Sequence, residues 1–269
     1  PKLASAQSNW EKTALANLPV PPAKGLIKHF NMEKPVQTFQ PEIPRKQTNE
    51  KRQARKPDLQ PGLLGMAARF DGDTVIESKG KINFDRTDPF SCGAWINSTS
   101  GSPACVLSKN DDVSNLRGFD LMIRKGKAVV HLIHKWNSSA IQVMTKTSIP
   151  RNQWQHLMVT YDGSGRASGV GIYRDGEPQQ LEIRHDSLQG TIRTGQPLRI
   201  GRRSTSAAFT GWIDEVRVYD RELAGDEVRR LVTSQVVRAL AGVPAGKRTS
   251  GQQKMLHEFF LAKHAPPRL

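Results

Sequence analysis

The sequence predicts an all-β sandwich of two antiparallel sheets, and three observations lead to this prediction. From Met66 onward, short apolar or alternating runs recur about every 8–15 residues, as sandwich strands do. Turn-forming pairs separate these runs; Asp175-Gly176, for example, tolerates the positive φ angles of a tight hairpin. A strong helical pattern occurs only near the end of this region.

The individual elements follow from these patterns. One early strand is expected at Gly25–Phe30. A helix is expected near 224–241, where Asp226 and Glu227 suit a first turn and apolar residues then recur at helical spacing. The remaining strands are predicted near 66–70, 73–78, 90–97, 104–109, 117–124, 127–134, 140–147, 153–161, 169–175, 178–183, 197–201 and 210–219.

Three segments divide the chain. Residues 1–24 are polar and read as an N-terminal tail, and residues 25–232 form the sandwich. Residues 34–61 carry five prolines, which remove backbone donors, so this stretch is expected to be a loop or linker inserted after the first strand. Residues 233–269 are a helical and polar connector, with a short helix expected around Met255–Phe260.

The net charge of +15 is concentrated in the two flanks rather than in the sandwich. Such charge runs are usually solvated, and nucleic-acid binding would need a basic stripe with aromatic residues or a known motif, neither of which is visible. We therefore expect no nucleic-acid partner. No run approaches the roughly 18 apolar residues that a membrane span needs, so no span is expected either.

The chain begins with Pro1 and shows no charged start followed by an apolar stretch. We interpret it as an internal fragment, or as a chain whose signal was removed, from a secreted or periplasmic protein.

Two cysteines lie in neighbouring predicted strands, Cys92 and Cys105. A hairpin joining the strands would bring them close enough for a disulfide. The alternative is two buried thiols, since free cysteine is often buried. Without nearby histidine they make no zinc site, and without a Cys-x-x-Cys-His motif no haem is expected to attach to this chain.

Six segments together resemble the laminin-G-like jelly-roll family, whose fold is concanavalin A-like. The resemblance spans roughly 66–232 and implies a jelly-roll sandwich; because one fold hosts many functions, it implies no single activity. The segments are Ala68–Gly72, Pro89–Trp95, Gln153–Gly163, Ile172–Gly176, Leu198–Arg202 and Gly211–Tyr219.

A narrower resemblance is to the copy of this domain found inside large planctomycete proteins, between cytochrome-like and uncharacterised domains. It is carried by His131–Trp136, Tyr161–Gly165 and Leu188–Thr194, and in the C-terminal flank by Gln252–Leu256 and Glu258–Leu261. It implies that neighbouring domains of the parent protein are partners.

The family resemblance also implies a structural calcium ion near the sheet ends. The matching positions are Asp71 and Asp214, with Asp73 as a further ligand. Calcium takes six to eight oxygens, which carboxylates, carbonyls and water would supply. The alternative is that Asp71 caps a turn and that Asp214 accepts a hydrogen bond at a strand end.

The sequence argues against an enzyme. A glycosidase of this fold needs two carboxylates facing one cleft. Asp214 and Glu215 are adjacent in a predicted strand, so strand alternation should point them to opposite faces. His156 lies in a strand motif and is interpreted as a packed residue.

Trp136 is the candidate for ligand binding. Sugar recognition uses an aromatic surface beside fixed polar groups, and alternation predicts that His134 and Trp136 share a face at a hairpin end. Arg124 is expected on the neighbouring strand and would suit an anionic sugar. The alternative is that Trp136 closes the end of the core.

These patterns favour a non-catalytic, exported module that binds a polysaccharide or other glycan. A structural spacer or protein-interaction domain is the alternative, motivated by the tail-like flanks, and a glycan-active enzyme is the least favoured.

Overall fold

The computed structural model of the protein describes residues 2–16, 20–33, 38–39, 57–78, 80, 82–99, 103–241, 243–248 and 250–263. Its helices are α1 (Lys2–Ala16), α2 (Gly225–Val236) and α3 (Ser250–Lys263), and a π-helical segment, Val237–Ala241, continues α2. The strands are β1 (Leu26–Phe30), β2 (Thr38–Phe39), β3 (Asp58–Pro61), β4 (Met66–Asp71), β5 (Val75–Ser78), β6 (Phe90–Ser98), β7 (Ala104–Asp111), β8 (Arg117–Arg124), β9 (Lys127–Lys135), β10 (Ser139–Thr145), β11 (Gln155–Tyr161), β12 (Val170–Arg174), β13 (Glu177–Pro178), β14 (Leu181–Asp186), β15 (Leu198–Ile200) and β16 (Thr210–Tyr219).

The first sheet has the strand order β13-β12-β11-β6-β16-β4-β3 and is antiparallel throughout. On one side of β16, the first half of the strand pairs with β4 and the second half pairs with β1. A β-bulge between Asp214 and Arg217 separates the two halves. This bulge decides which way the acidic residues of β16 point.

The second sheet has the order β14-β10-β9-β8-β7-β15-β5-β2, and its pairings are also antiparallel. The consecutive strands β7 to β10 form a meander, whereas β15 and β5 join from distant parts of the chain.

The core lies between the two sheets and follows the period-two pattern of the strands. In β6, for example, Phe90, Cys92, Ala94 and Ile96 alternate inward. They meet residues such as Leu121 from the second sheet in one buried cluster. The predicted two-sheet sandwich is therefore confirmed.

A layer of helices covers the outer face of the first sheet. Val232 and Val236 of α2 pack against Trp95 of β6, and Val228 and Leu231 pack in a second cluster with β11 and β16. Because these residues recur at helical spacing, one stripe of α2 is buried. The predicted helix near 224–241 is confirmed, with its last five residues in the π-helical form.

The N-terminal segment is a helix, not a polar tail. Trp10 of α1 lies 5.5 Å from the ring of Phe260 in α3, and Arg248 pairs with Glu11 at 2.8 Å. The apolar pattern of α1 is weak, and the contacts that order this helix come from the opposite end of the chain. The prediction of a tail was therefore wrong, because these contacts cannot be read from the local sequence.

The C-terminal helix expected around Met255–Phe260 is present as α3. Part of the proline-rich stretch is strand: β3 is the edge of the first sheet, a position that tolerates proline. The rest of the predicted loop at 34–61, apart from residues 38–39 and 57, lies outside the described residues, as do residues 17–19 and 264–269 of the flanks.

Candidate functional site

A row of polar side chains crosses the outer face of the second sheet. Residues directly opposite each other in antiparallel strands project from the same face, so the strand register places them side by side. In order across the sheet, the row consists of Glu77, Arg199, Ser108, Asp120, His131, Gln142 and His185.

Asp120 is the centre of a buried network in this row. Its Oδ1 lies 2.8 Å from Nδ1 of His131, and its Oδ2 accepts bonds from the guanidinium of Arg203 at 2.9 and 2.6 Å. Asn110 donates to the same Oδ2 at 3.0 Å. The network holds the His131 ring in a fixed orientation.

The charge of Asp120 is set by these partners. Burial alone would raise the pKa of this carboxyl group, but the Arg203 guanidinium and the His131 ring outweigh burial and hold the pKa below its usual value. Asp120 is therefore an ionised carboxylate, and with Arg203 it forms a buried ion pair beneath the surface.

Trp136 lies beside this network and is partly exposed. Its ring meets His131 and His185 edge-on, with ring centroids 5.2 Å apart in each case. The backbone N–H of Trp136 donates to the carbonyl of Asn115 at 3.1 Å, which fixes the start of the turn. Trp136 and His185 form a partly exposed aromatic surface over the buried ring of His131, and we call these three residues the Trp136 platform.

The predicted orientation of Trp136 was wrong. Alternation placed it on the same face as His134 and opposite His131, yet it contacts His131. The reason is that β9 ends at Lys135, so Trp136 belongs to the turn at residues 136–138, where strand alternation no longer applies.

His134 is also not a partner of the platform. Its Nδ1 lies 2.8 Å from the carbonyl oxygen of Thr191, and its ring packs against Gly190. A Cβ atom at Gly190 would come within 2.3 Å of that ring, so only glycine fits there. His134 therefore supports the loop around residues 190–191.

Arg124 lies at the other end of the hairpin from Trp136. It pairs with Lys127 beside the β8–β9 turn, and nine residues separate Lys127 from Trp136, or about 30 Å of extended chain. The predicted neighbourhood was wrong because antiparallel pairing sets the two residues at opposite ends. Arg117 and Arg203 are arginines near this end: Nε of Arg117 lies 3.4 Å from the carbonyl of His134, and Arg203 bonds Asp120.

The three predicted calcium ligands are not brought together. Asp71 is opposite Thr210 in the register, and Asp214 is four residues further along β16, about 13 Å away. Burial, with Glu215 adding to it, raises the pKa of Asp214 to about 8, so this group is protonated at neutral pH and is a poor ligand for a cation. The set does not fit one calcium ion.

Asp71 instead caps its turn, as the alternative interpretation had it. Its Oδ1 accepts hydrogen bonds from the backbone N–H groups of Asp73 and Thr74 at 3.0 and 2.8 Å. Among the described residues, no group of three or more His, Cys, Asp or Glu side chains could hold a metal ion.

The two cysteines are buried free thiols rather than a disulfide. Cys92 points from β6 into the core between the sheets, whereas the Sγ of Cys105 on β7 lies near the carbonyls of Leu107 and Leu121. Burial raises the pKa of Cys92 to about 12, which makes it a poor nucleophile. The expected hairpin between the two cysteine-bearing strands does not form, because β6 and β7 belong to different sheets.

Asp214 and Glu215 lie on the same face of the first sheet, contrary to the alternation argument. Glu215 sits in the β-bulge with φ of 51°, and its side chain meets Gln235 of α2 on the outer face. Asp214 faces the same side, opposite Trp95. Asp214 is completely buried, however, so the two carboxyl groups do not open into one cleft.

Sequence reasoning missed the residues that organise the Trp136 platform. Asp120 in β8 and His131 in β9 occupy positions that fit the ordinary alternation of a strand, so the sequence did not single them out. His185 and Arg203 are distant from them in the sequence. One signal was available, since a charged residue inside the apolar run Phe119–Ile123 needs a buried partner. The identity of that partner depended on the sheet order.

Residues 70–229 match the third laminin G family model, described as the concanavalin A-like lectin/glucanases superfamily. The match covers more than half of the chain. None of the described helices has the length and apolar character that crossing a membrane requires.

Two solved structures share the fold. The binding domain of Paraclostridial Mosquitocidal Protein 1 superposes with a TM-score of 0.57 and 14% identity; the match covers 79% of this chain and 52% of that one. Domain 4 of AbnA, a GH43 extracellular arabinanase from Geobacillus stearothermophilus, solved in complex with arabinotriose, gives 0.53 and 18%, covering 77% of this chain and 98% of that one. This chain thus matches about half of the mosquitocidal binding domain.

At such identities the superpositions show the fold alone, and the family match carries the assignment. The chain belongs to the laminin G-type family of the concanavalin A-like lectin/glucanases superfamily.

Proposed function

We propose that the protein is a non-catalytic carbohydrate-binding module and that the Trp136 platform is its binding surface. A partly exposed tryptophan beside oriented polar side chains is the arrangement that recognises a sugar ring, which has an apolar face and many hydroxyl groups. The observation that carries the proposal is the contact of Trp136 with His131 and His185.

The polar groups around the platform are held in place before any ligand arrives. Asp120 fixes the His131 ring through Nδ1, and this buried ring in turn supports Trp136. Gln142 stands between His131 and His185 in the register and adds an amide. Such preorganisation lowers the entropy lost on binding.

The comparison with the arabinanase domain supports the same proposal. That domain was solved with arabinotriose, so one structure of this fold holds an oligosaccharide. The fold alone does not assign a function, and the proposal for this chain therefore rests on the Trp136 platform.

A glycan array probed with the wild-type protein and with Trp136→Ala tests the proposal. We expect defined glycans to bind the wild type and to lose at least tenfold in affinity with Trp136→Ala. Trp212→Ala is the matched control, because Trp212 is a partly exposed tryptophan on the other sheet, bonded to Gln60. Binding by neither protein, or equal binding by both, would favour the structural spacer or protein-interaction domain.

We further propose that the glycan is an anionic polymer, long enough to span the roughly 30 Å from the Trp136 platform to a basic surface at the opposite end of β9. Arg124, Lys125 and Lys127 lie at the β8–β9 turn, and the hydrogen bond from Ile149 to the carbonyl of Gly126 brings the loop that carries Lys146 and Arg151 beside it. All five cations are exposed or partly exposed. We call this group the basic edge.

Retention on an immobilised uronate polymer, measured as a function of salt, tests the basic edge. The double variant Lys125→Gln, Arg151→Gln should elute at clearly lower salt than the wild type, because surface charge attraction is screened by salt. Lys12→Gln, at an exposed position of α1, is the control that removes a cation elsewhere. Unchanged elution of the double variant would leave a neutral glycan as the partner.

Export of the parent protein to the periplasm or the extracellular space, and a place beside cytochrome-like domains of a planctomycete protein, stay predictions from the sequence resemblance. The structure adds that α1 and α3 pack together, so the two flanks of the sandwich meet on one side. Neighbouring domains joined through these flanks would leave from that same side.

A further inference from the structure

A second cleft lies on the opposite side of the molecule from the Trp136 platform. It has a volume of about 630 Å³, within the range of small-molecule sites, and is enclosed by the outer face of the first sheet, the end of α2 and the loop at 61–65. Its walls are aliphatic and are formed by Pro21, Pro61, Leu63, Leu64, Ala239 and Val243.

The floor of the cleft is an ionised carboxylate held by four hydrogen bonds. Burial would raise the pKa of Glu215, but His29 and Arg217 outweigh burial and lower it to about 2. His29 Nε2 lies 2.8 Å from Oε2, Arg217 Nη2 donates at 2.9 Å and its Nε at 3.3 Å, and Gln235 donates at 2.6 Å.

All four of these bonds end on Oε2 of Glu215. Its Oε1 takes part in none of them, so this oxygen is the acceptor that remains at the floor. A hydroxyl group of a ligand satisfies it by donating to Oε1.

The mouth of the cleft carries a further cation. Arg238 is exposed and lines the cleft three residues after Gln235, so both project toward the same side. It lies in the π-helical segment, a form of helix that is frequent at functional sites. Glu215 itself has the positive φ of 51°, a strained conformation that also clusters at such sites.

We propose that this cleft binds a small polyol that carries one acidic group, such as a hexuronic acid or a sugar phosphate. A hydroxyl group donates to Glu215 at the floor, the carbon skeleton lies against the aliphatic walls, and the acidic group pairs with Arg238 at the mouth. This site lies on the other sheet from the Trp136 platform, and the inference does not depend on that platform.

Titration of the full chain with defined small molecules, followed by calorimetry and by NMR, tests the inference. We expect D-glucuronate or D-glucose 6-phosphate to bind, and D-glucose and acetate, which lack the acid and the hydroxyl groups respectively, to bind at least tenfold more weakly. Binding of only one acidic probe identifies the acid as carboxylate or phosphate. Equal binding of D-glucose, or no binding of either acidic probe, overturns the inference.

Two variants in the cleft and two control variants outside it locate the bound probe. Arg238→Gln should lower the affinity for the acidic probe at least tenfold, whereas Arg230→Gln, in α2 but outside the cleft, should leave the affinity unchanged. Leu64→Trp narrows the cleft and should abolish binding. Trp136→Ala should keep it, which separates this site from the proposed glycan surface. Full affinity in Arg238→Gln and Leu64→Trp, with melting temperatures unchanged, would overturn the assignment to this cleft.

Discussion

Buried ionisable side chains in this protein are charged or neutral according to the partners that the fold gives them. Asp120 has a guanidinium and an imidazole as partners and stays ionised. Asp214 has Glu215 beside it and no partner on Oδ2 among the described residues, so burial keeps it protonated. Aspartate is thus ionised at position 120 on the second sheet and neutral at position 214 on the first sheet.

Removal of Asp120 should be strongly destabilising. Asp120→Ala leaves Arg203 as an uncompensated buried charge, and breaking a buried pair in this way costs about 3–5 kcal/mol. Asp226→Ala, which breaks an exposed pair with Arg230 in α2, should change the free energy of unfolding by no more than about 0.5 kcal/mol. Urea unfolding of both variants measures the difference, and equal losses would contradict this account.

The protonated state of Asp214 should appear as a pH dependence of stability. In the unfolded chain an aspartate titrates near pH 3.9, whereas in the folded chain Asp214 keeps its proton up to about pH 8. Between these values the folded state binds one more proton than the unfolded state, so rising pH lowers the free energy of unfolding. The group contributes full stability at low pH and loses it as the pH rises through 8.

Asp214→Asn isolates this effect because the amide stays neutral at every pH. The free energy of unfolding of the variant, relative to wild type, should increase from pH 5 to 8 by up to about 1.4 kcal/mol per pH unit and become constant above that range. His156, whose pKa burial lowers to about 3, titrates in both proteins and cancels in the difference. A difference that does not change with pH would show that Asp214 is ionised in the fold.

At the scale of elements, a single bulge in β16 decides much of the chemistry of the first sheet. It turns Glu215 to the same side as Asp214 and lets β4 and β1 share one side of the strand. Just before it, Gly211 has φ of 124°, and a Cβ atom there would lie 2.1 Å from the carbonyl oxygen of Asn97 in β6. The start of β16 therefore requires glycine.

Gly211→Ala should weaken the pairing of β16 with β6. Both the positive φ and the backbone clash oppose an added methyl group, so we expect a loss of more than about 1 kcal/mol in the free energy of unfolding. Gly195→Ala is the matched control, because nothing lies within 4 Å of its Cβ position, and it should change stability by about 0.5 kcal/mol or less. Urea unfolding compares the two, and similar effects would refute the clash.

At the scale of the whole molecule, the helical layer joins the two flanks of the chain over the first sheet. Trp10 of α1 contacts Phe259 and Phe260 of α3, and both helices pack in one cluster with Leu240 of the π-helical segment. This layer closes one side of the cleft that contains Glu215. Its stability is therefore coupled to the shape of that cleft.

Trp10→Ala should loosen the helical layer without unfolding the sandwich. Loss of a large aromatic contact exposes α3 and the segment at 237–241, so their amide hydrogens should exchange faster, while those of β6, β8 and β9 keep their protection. Lys12→Ala, at an exposed position of α1, serves as the control and should leave exchange unchanged. Uniform loss of protection in all strands would mean that layer and sandwich unfold as one unit.

Much of the fold was predictable because it depends on local patterns. Alternation and turn pairs located the strands from Met66 to Tyr219, and the stripe from Val228 to Leu240 located α2. The candidate site was predictable only in part. Trp136 was found as an aromatic residue at a hairpin end, but its neighbours were not, because Arg124 and His134 were placed by alternation alone.

The sequence by itself determined that the chain forms an antiparallel sandwich with a late helix, since periodicity and turn chemistry act over a few residues. Only the tertiary structure decided that Asp120 meets Arg203, that Glu215 turns beside Asp214, and that Trp10 reaches Phe260. Each of these contacts depends on the order of strands in a sheet, on a one-residue bulge or on packing between distant segments. Those features arise from the whole chain folding together, and no short stretch of sequence encodes them.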